Sequence, residues 1–210
     1  MNSKPPVHAG RRRAVQVLAS AAALSLTFGG LAGCAPEKPQ FQSIDLTGAD
    51  YATGFALLDQ NGQPRTLKDF AGKIVVVFFG FTQCPDVCPT AMAELAEVKR
   101  LLGGDGDKLQ AIFITMDPER DTPELLKAYM GNFDPGFLAL RPTPEQLPQV
   151  AKDFKIYYKK VDGKTKGSYT LDHSAGSYIY DPQGRIRLYN RYGSGAEMLA
   201  SDLRLLLKSG

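Results

Sequence analysis

Two long apolar segments constrain the fold more than any other feature of this chain. The first is IVVVFFGF at 74–81, which is apolar on every residue up to Gly80, and the second is LQAIFITMD at 109–117. A strand that is buried on both faces gives such a continuous run, whereas a strand with one wet face alternates. We therefore predict two buried strands in the centre of one sheet.

Helical patterns and shorter strands surround these two segments. Helices are predicted after Pro89, where apolar residues recur at helical spacing until Gly103-Gly104, and in TPELLKAYMGNF, TPEQLPQVAKDFK and GAEMLASDLRLLLK. Strands are predicted at Phe55–Leu58, which opens a hairpin turning at Asn61-Gly62, in LALR at 138–141, in YYKKV, and in a hairpin that turns at Asp181-Pro182-Gln183-Gly184. This alternation predicts an α/β domain with a mixed sheet. The order of elements looks like a thioredoxin-like fold, with a central mixed sheet flanked by helices and an N-terminal hairpin.

The first 33 residues have the pattern of an export signal. Four basic residues and no acid precede an uncharged segment rich in Ala, Leu and Ser. Removing these residues changes the formal charge from +3 to −1, so binding to nucleic acid has no electrostatic support. An uncleaved membrane anchor is the alternative, but Gly, Ser, Thr and Gln dilute the apolar segment.

The signal pattern ends at Leu31-Ala32-Gly33-Cys34, which is similar to the lipobox of bacterial lipoproteins. That resemblance implies that Cys34 is lipidated and becomes the first residue of the mature chain. We therefore expect a signal peptide at 1–33, a lipidated tether at 34–53 and one domain at 54–210. The expected location is the bacterial cell envelope, with the protein anchored to a membrane and facing the periplasm.

Few soft ligands remain in the mature chain. With Cys34 committed to lipid and His8 removed with the signal, Cys84, Cys88 and His173 are the only cysteines and histidine left. The two cysteines stand in FTQCPDVCPT, where Pro89 is suited to the first turn of a helix. The helix dipole favours negative charge there, so we expect stabilised thiolates with a low pKa.

The spacing of the cysteines leaves three interpretations open. A structural disulfide is compatible with export but would close a very short loop and add little stability. Thiol–disulfide or peroxide chemistry is the second, although the C-x-x-x-C spacing is one residue longer than in thioredoxins and TLDHSAGSYIY offers no proline opposite the pair. A metal site is the third: two thiolates and one imidazole suit copper, whereas a structural zinc site needs a fourth ligand.

Three motifs resemble the Sco/SenC copper proteins: FTQCPDVCPT, TMDPERDTPE at 115–124 and LDHSAGSYIYDPQG at 171–184. The resemblance covers about residues 45–208. It implies a membrane-anchored, thioredoxin-like protein that helps to assemble the binuclear copper centre of cytochrome c oxidase. By the same resemblance Cys84, Cys88 and His173 bind one copper ion, as Cu(I), Cu(II) or both. The implied partner is the copper-bearing subunit of the oxidase, or another periplasmic copper carrier.

From this resemblance we expect a metallochaperone rather than an enzyme, with a thiol–disulfide oxidoreductase acting through Cys84 and Cys88 as the alternative. Asp117 and Asp121 are expected to form turn and cap hydrogen bonds, and Met116 to lie in the core. Asp172 is a candidate to orient His173. The polar segment 159–173, which carries four lysines, is expected to be a flap that closes when copper binds.

Overall fold

The computed structural model describes residues 1–2 and 39–209. The strands are β1 (Ile44–Asp45), β2 (Ala56–Asp59), β3 (Pro64–Thr66), β4 (Ile74–Gly80), β5 (Leu109–Thr115), β6 (Leu138–Arg141), β7 (Tyr158–Asp162), β8 (Tyr169–His173), β9 (Gly176–Tyr180) and β10 (Ile186–Arg191). The helices are α1 (Val87–Leu101), α2 (Pro123–Gly131), α3 (Leu147–Asp153) and α4 (Ala196–Ser209), with short 3₁₀ helices at Leu67–Phe70 and Gly103–Lys108.

Eight strands form one mixed sheet in the order β1-β10-β9-β4-β5-β6-β2-β3. β4, β5 and β6 run parallel, and antiparallel strands flank them on both sides. Every residue of β4 and β5 is buried, which explains why neither sequence alternates. The predicted α/β thioredoxin-like fold is therefore confirmed.

Local signals set the element boundaries much as expected. The Thr122 hydroxyl caps α2 by accepting a hydrogen bond from the Leu125 N–H at 3.2 Å, with Pro123 in the first turn. α3 begins at Leu147, so Pro148 also lies in a first turn, where its missing N–H costs nothing. The predicted hairpin of β2 and β3 forms, and Gly62 adopts the positive φ of +76° that its turn requires.

The polar segment after α3 is a hairpin rather than a loop. β7 and β8 pair with each other in a separate two-stranded sheet, with Tyr158 opposite His173. At the turn the Gly163 N–H donates to the Ser168 carbonyl at 2.8 Å. His173 is therefore the last residue of a strand, and the expected flap has the form of a β-hairpin.

The folded domain starts earlier than the sequence predicts. The segment expected to be a tether up to residue 53 contains β1, and Ala52 is buried. The Asp202 carboxylate on α4 accepts hydrogen bonds from the N–H groups of Gln42 and Ser43 at 2.9 and 2.7 Å. Residues 3–33 of the expected signal peptide, together with Cys34, lie outside the described residues. Within the described part of the chain, no helix has both the length and the apolar character needed to cross a membrane.

Candidate metal centre

Both cysteines lie where β4 leads into α1. Cys84 is half-buried in the connecting turn, where its N–H donates to the Phe81 carbonyl at 3.2 Å. Cys88 is fully buried in the first turn of α1, and its N–H points to the Cys84 Sγ atom at 3.5 Å. Both are free thiols, so the structural disulfide that the sequence left open is not formed.

The imidazole of His173, the last residue of β8, lies next to the two cysteines. Its ring makes edge contacts with the rings of Phe81 and Phe78, at centroid distances of 5.8 and 6.4 Å. The Nε2 atom lies 3.7 Å from the Sγ atom of Cys88. One donor atom from each of Cys84, Cys88 and His173 lies within 4.8 Å of the other two.

A backbone contact orients the imidazole of His173. Its Nδ1 atom lies 2.9 Å from the Ser174 carbonyl oxygen, which can only accept a hydrogen bond, so Nδ1 carries the proton. Burial lowers the pKa of His173 and outweighs the opposing effects of this hydrogen bond and of Asp172, so the ring is neutral at pH 7. Nε2 therefore directs a free lone pair towards the cysteines.

The expected low pKa at the start of the helix is wrong for Cys88. Burial raises the pKa of this thiol well above its ordinary value, and the nearby Cys84 and Asp121 raise it further. A backbone hydrogen bond from Phe81 lowers the pKa but does not offset the burial of the sulfur. Cys88 is consequently a protonated thiol at neutral pH when no ion is present.

The buried carboxylate of Asp121 holds the turn that carries the cysteines. It accepts hydrogen bonds from the Thr82 N–H at 3.1 Å and from the hydroxyls of Thr82 and Thr115, both at 2.5 Å. Burial raises the pKa of Asp121, and these hydrogen bonds only partly offset it. Asp117, also buried, accepts a hydrogen bond from the Tyr169 hydroxyl at 2.7 Å. Both carboxylates thus anchor contacts between separate segments, rather than the turn and cap hydrogen bonds that the sequence predicts.

Two other candidates play no direct part in the site. Asp172 is exposed, because its side chain leaves β8 on the face opposite to His173, and the imidazole hydrogen bond goes to Ser174 instead. Met116 is buried in the core, as expected.

Sequence reasoning missed the close packing of Gly80 under Cys88. A Cβ atom on residue 80 would lie 2.7 Å from the Cys88 Sγ atom and 2.7 Å from the Phe113 ring. A glycine that interrupts a buried apolar strand often marks such a close approach, and this was the available signal.

The donor set fits a soft first-row metal ion. An ion about 2.3 Å from a sulfur and about 2.0 Å from a nitrogen, the bond lengths known for zinc, would fit between Cys88 Sγ and His173 Nε2, which lie 3.7 Å apart. Among the described residues the cluster offers three Cys or His donors, which suits a three-coordinate ion better than tetrahedral zinc.

Fold and site together define a class of protein, a thioredoxin-like domain with two cysteines at its first helix and a histidine just before a late strand. The SCO1/SenC family model matches residues 45–208, and the chain belongs to this family. An SCO2-like protein of Rickettsia felis is 36% identical over 153 residues, which cover 71% of this chain and 75% of the relative.

Solved structures of Sco proteins are similar to this chain over most of the domain. ScoI of Bradyrhizobium japonicum, solved with copper bound, is 44% identical with a TM-score of 0.66, and the match covers 73% of this chain and 97% of that one. The solution structure of apo Sco1 from Thermus thermophilus is 34% identical with a TM-score of 0.70, covering 80% and 97%.

Proposed function

We propose that this protein binds one copper ion through Cys84, Cys88 and His173 and delivers it to the binuclear copper centre of cytochrome c oxidase. The observation that carries the proposal is the convergence of two thiols and a neutral imidazole within 4.8 Å, with the free lone pair of Nε2 facing Cys88. Soft sulfur and borderline nitrogen donors select copper. The copper bound to ScoI of Bradyrhizobium japonicum and the family membership support this choice.

Each residue has a distinct part in this proposal. The two sulfurs hold Cu(I) as thiolates, and the imidazole supplies the harder donor that Cu(II) requires. Cys84, which is less buried than Cys88, is the sulfur that an incoming ligand of a partner reaches first. Copper would then be released by ligand exchange, without breaking any covalent bond of the polypeptide.

Metal content and transfer test the proposal directly. The purified, reduced protein is titrated with Cu(I) and Cu(II), and about one ion per chain should bind, with a thiolate-to-copper charge-transfer band for Cu(II). Cys84→Ser and Cys88→Ser should each abolish tight binding. Copper-loaded protein mixed with the metal-free, reduced copper-bearing subunit of the oxidase should lose its copper to that subunit. Absence of the charge-transfer band in the wild-type protein would count decisively against the site.

A thiol–disulfide oxidoreductase that reduces partner cysteines is the second candidate. Two free thiols four residues apart at the start of a helix, in a thioredoxin-like fold, favour it. Burial raises the pKa of Cys88, so the more exposed Cys84 would be the attacking thiol in such a reaction. Stoichiometric reduction of a disulfide substrate by protein that binds no copper would favour this second function.

The proposal includes export and anchoring, with a signal peptide at 1–33 and a lipid on Cys34. The LAGC sequence supports it. The protein would then face the periplasm of a bacterial cell envelope, where the oxidase partner or another copper carrier meets it. Cys34→Ser should release the protein from the membrane fraction and leave copper affinity unchanged. Retention of the uncleaved variant in that fraction would show that residues 14–31 are themselves the anchor.

A further inference from the structure

The side chain of Arg120 contacts three separate segments around the candidate metal centre. Its Nε atom pairs with the buried carboxylate of Asp117, in the turn that follows β5. Its Nη1 atom donates to the Gln83 side-chain oxygen at 3.0 Å and to the Tyr169 carbonyl at 2.8 Å. One guanidinium therefore links this turn, the segment next to Cys84, and β8.

Stacking adds to these hydrogen bonds. The Arg120 guanidinium carbon lies 3.6 Å from the centroid of the Tyr169 ring. The Tyr169 hydroxyl in turn donates to Asp117 at 2.7 Å. Only 21% of the Arg120 side chain is exposed, so its ion pair and its cation–π contact are largely shielded from water. Its Nη2 atom is buried and has no hydrogen-bond partner, so Nε and Nη1 make all of its polar contacts.

The contact at Tyr169 bears on His173 because both lie on one face of β8. Tyr169, Leu171 and His173 alternate with exposed residues, and Leu171 is buried. The β7–β8 hairpin pairs with no strand of the eight-stranded sheet in the described part of the chain. Its position against the domain therefore depends on its chain connections to α3 and β9, on the hydrogen bond from the Tyr192 N–H to the Ala175 carbonyl at 3.1 Å, and on side-chain contacts. Arg120 supplies the most extensive charged side-chain contact.

The remaining link to the same turn is weak. Lys160 on β7 pairs with Glu119 at 2.7 Å, but about half of each side chain is exposed. Exposed pairs of this kind contribute little to stability. The arginine, in contrast, combines an ion pair, two further hydrogen bonds and a stacked ring.

We propose that Arg120 is a positioning residue, which holds the β7–β8 hairpin against the cysteine turn and so fixes His173 opposite Cys88. The consequence for metal binding rests on the proposed function, whereas the effect on the hairpin does not. A loosened hairpin would leave both sulfurs in place and displace the imidazole. Loss of the Arg120 side chain should therefore weaken only the metal binding that depends on His173.

The first test uses the metal-free full chain. Amide hydrogen exchange is measured for β7 and β8 in the wild type and in Arg120→Gln, and exchange in the variant should be about tenfold faster while α1 and β4 are unchanged. Arg65→Gln is the matched control. The Nε–H group of Arg65 also donates to a buried aspartate, Asp59, but Arg65 lies on the edge strand β3. That control should leave the hairpin unchanged. Equal hairpin protection in the wild type and Arg120→Gln would overturn the proposal.

The second test separates positioning from general support of the fold. Arg120→Gln should weaken Cu(II) binding about tenfold or more and leave Cu(I) binding within about threefold, because only Cu(II) relies on the imidazole. Adding Arg120→Gln to His173→Ala should cause no further loss of Cu(II) affinity. An equal loss for both ions, or a further loss in the double variant, would contradict a role through His173. If the wild type binds no copper, the proposed function fails while the exchange experiment still decides the role of Arg120.

A further variant covers the case in which Arg120→Gln does not fold. Arg120→Lys keeps the charge beside Asp117 but loses the planar fork that reaches Gln83 and Tyr169 together. It should fold and show intermediate hairpin exchange. Wild-type exchange in a folded Arg120→Lys protein would show that the fork is not needed and would overturn the proposal.

Discussion

Gly80 and Cys88 pack so closely that a Cβ atom on residue 80 would lie 2.7 Å from the Cys88 Sγ atom. The end of β4 thus forms the floor of the site, and the buried sulfur occupies the space that a side chain would fill. The backbone of Gly80 has no positive φ, so the requirement for glycine is one of space alone.

Gly80→Ala should therefore displace the sulfur of Cys88. Since the Phe113 ring blocks the other direction, the added methyl group should destabilise the fold by about 1–3 kcal/mol and weaken Cu(I) binding. Urea unfolding and a competitive Cu(I) titration measure the two effects. Gly104→Ala, where nothing lies within 4 Å of the new Cβ atom, is the control and should change neither quantity. Unaltered copper affinity in Gly80→Ala would show that the sulfur position is not critical.

His173→Ala should divide the two oxidation states of copper. Two thiolates still hold Cu(I), whereas Cu(II) loses its harder nitrogen donor. The Cu(II) affinity should fall by more than about 100-fold, since even outer partners of metal ligands contribute about 10–100-fold. Competition titrations with each ion provide the measurement, and Asp172→Ala, which alters an exposed neighbour, is the control. Similar losses for both ions would contradict this division of roles.

Copper binding should release a proton from Cys88. Because burial raises the pKa of this thiol, it is protonated in the metal-free protein at neutral pH and must become a thiolate to bind the ion. The apparent Cu(I) affinity should accordingly rise with pH, by about tenfold per pH unit for each proton released. Titration calorimetry in buffers of different ionisation enthalpy counts the protons. An affinity independent of pH between 6 and 8 would mean that both thiols are already ionised.

Asp181 should stabilise the fold in a pH-dependent way. Burial opposes ionisation of its carboxyl group, but hydrogen bonds from Arg185 and Arg187 outweigh this effect and lower its pKa below 3.8. The contribution of the ionised Asp181 to the free energy of unfolding is therefore complete above pH 3.8 and is lost as the pH falls through the folded-state pKa. Asp181→Asn should cost about 1–3 kcal/mol at pH 7 and less as the solution is acidified.

Urea unfolding of wild type and Asp181→Asn at several pH values checks this expectation. Asp105→Asn, which alters an exposed pair with Lys108, is the control and should have an effect near zero. A difference between wild type and Asp181→Asn that stays constant down to pH 2.5 would rule out the carboxylate as its source.

The sequence predicts most of the framework because the relevant signals are local. The continuous apolar runs identify β4 and β5, and Thr122-Pro123 identifies the start of α2. The scarcity of cysteine and histidine also singles out the three residues that the structure brings together. These inferences need only the chemistry of a residue and its nearest neighbours in the chain.

Properties that depend on distant packing were not predictable in this way. The pKa of Cys88 is set by complete burial beneath several elements, which the first turn of a helix does not reveal. The segment 159–173 is polar enough for a loop, but pairing between β7 and β8 makes it a hairpin. Arg120 stands in a motif that the sequence singles out, yet its contacts with Gln83 and Tyr169 follow only from the tertiary structure.

The two halves of the site lie far apart along the chain, since Cys88 and His173 are 85 positions apart. The two thiols are close together once the segment from β4 to α1 has formed. The imidazole joins them only after β5, β6 and the β7–β8 hairpin have been placed. Forming contacts of such long range is slow compared with forming local ones. A Cu(II) ion held by all three donors would therefore report that the segments from β4 to β8 have come together, whereas a chain folded only as far as α1 would offer the two sulfurs alone.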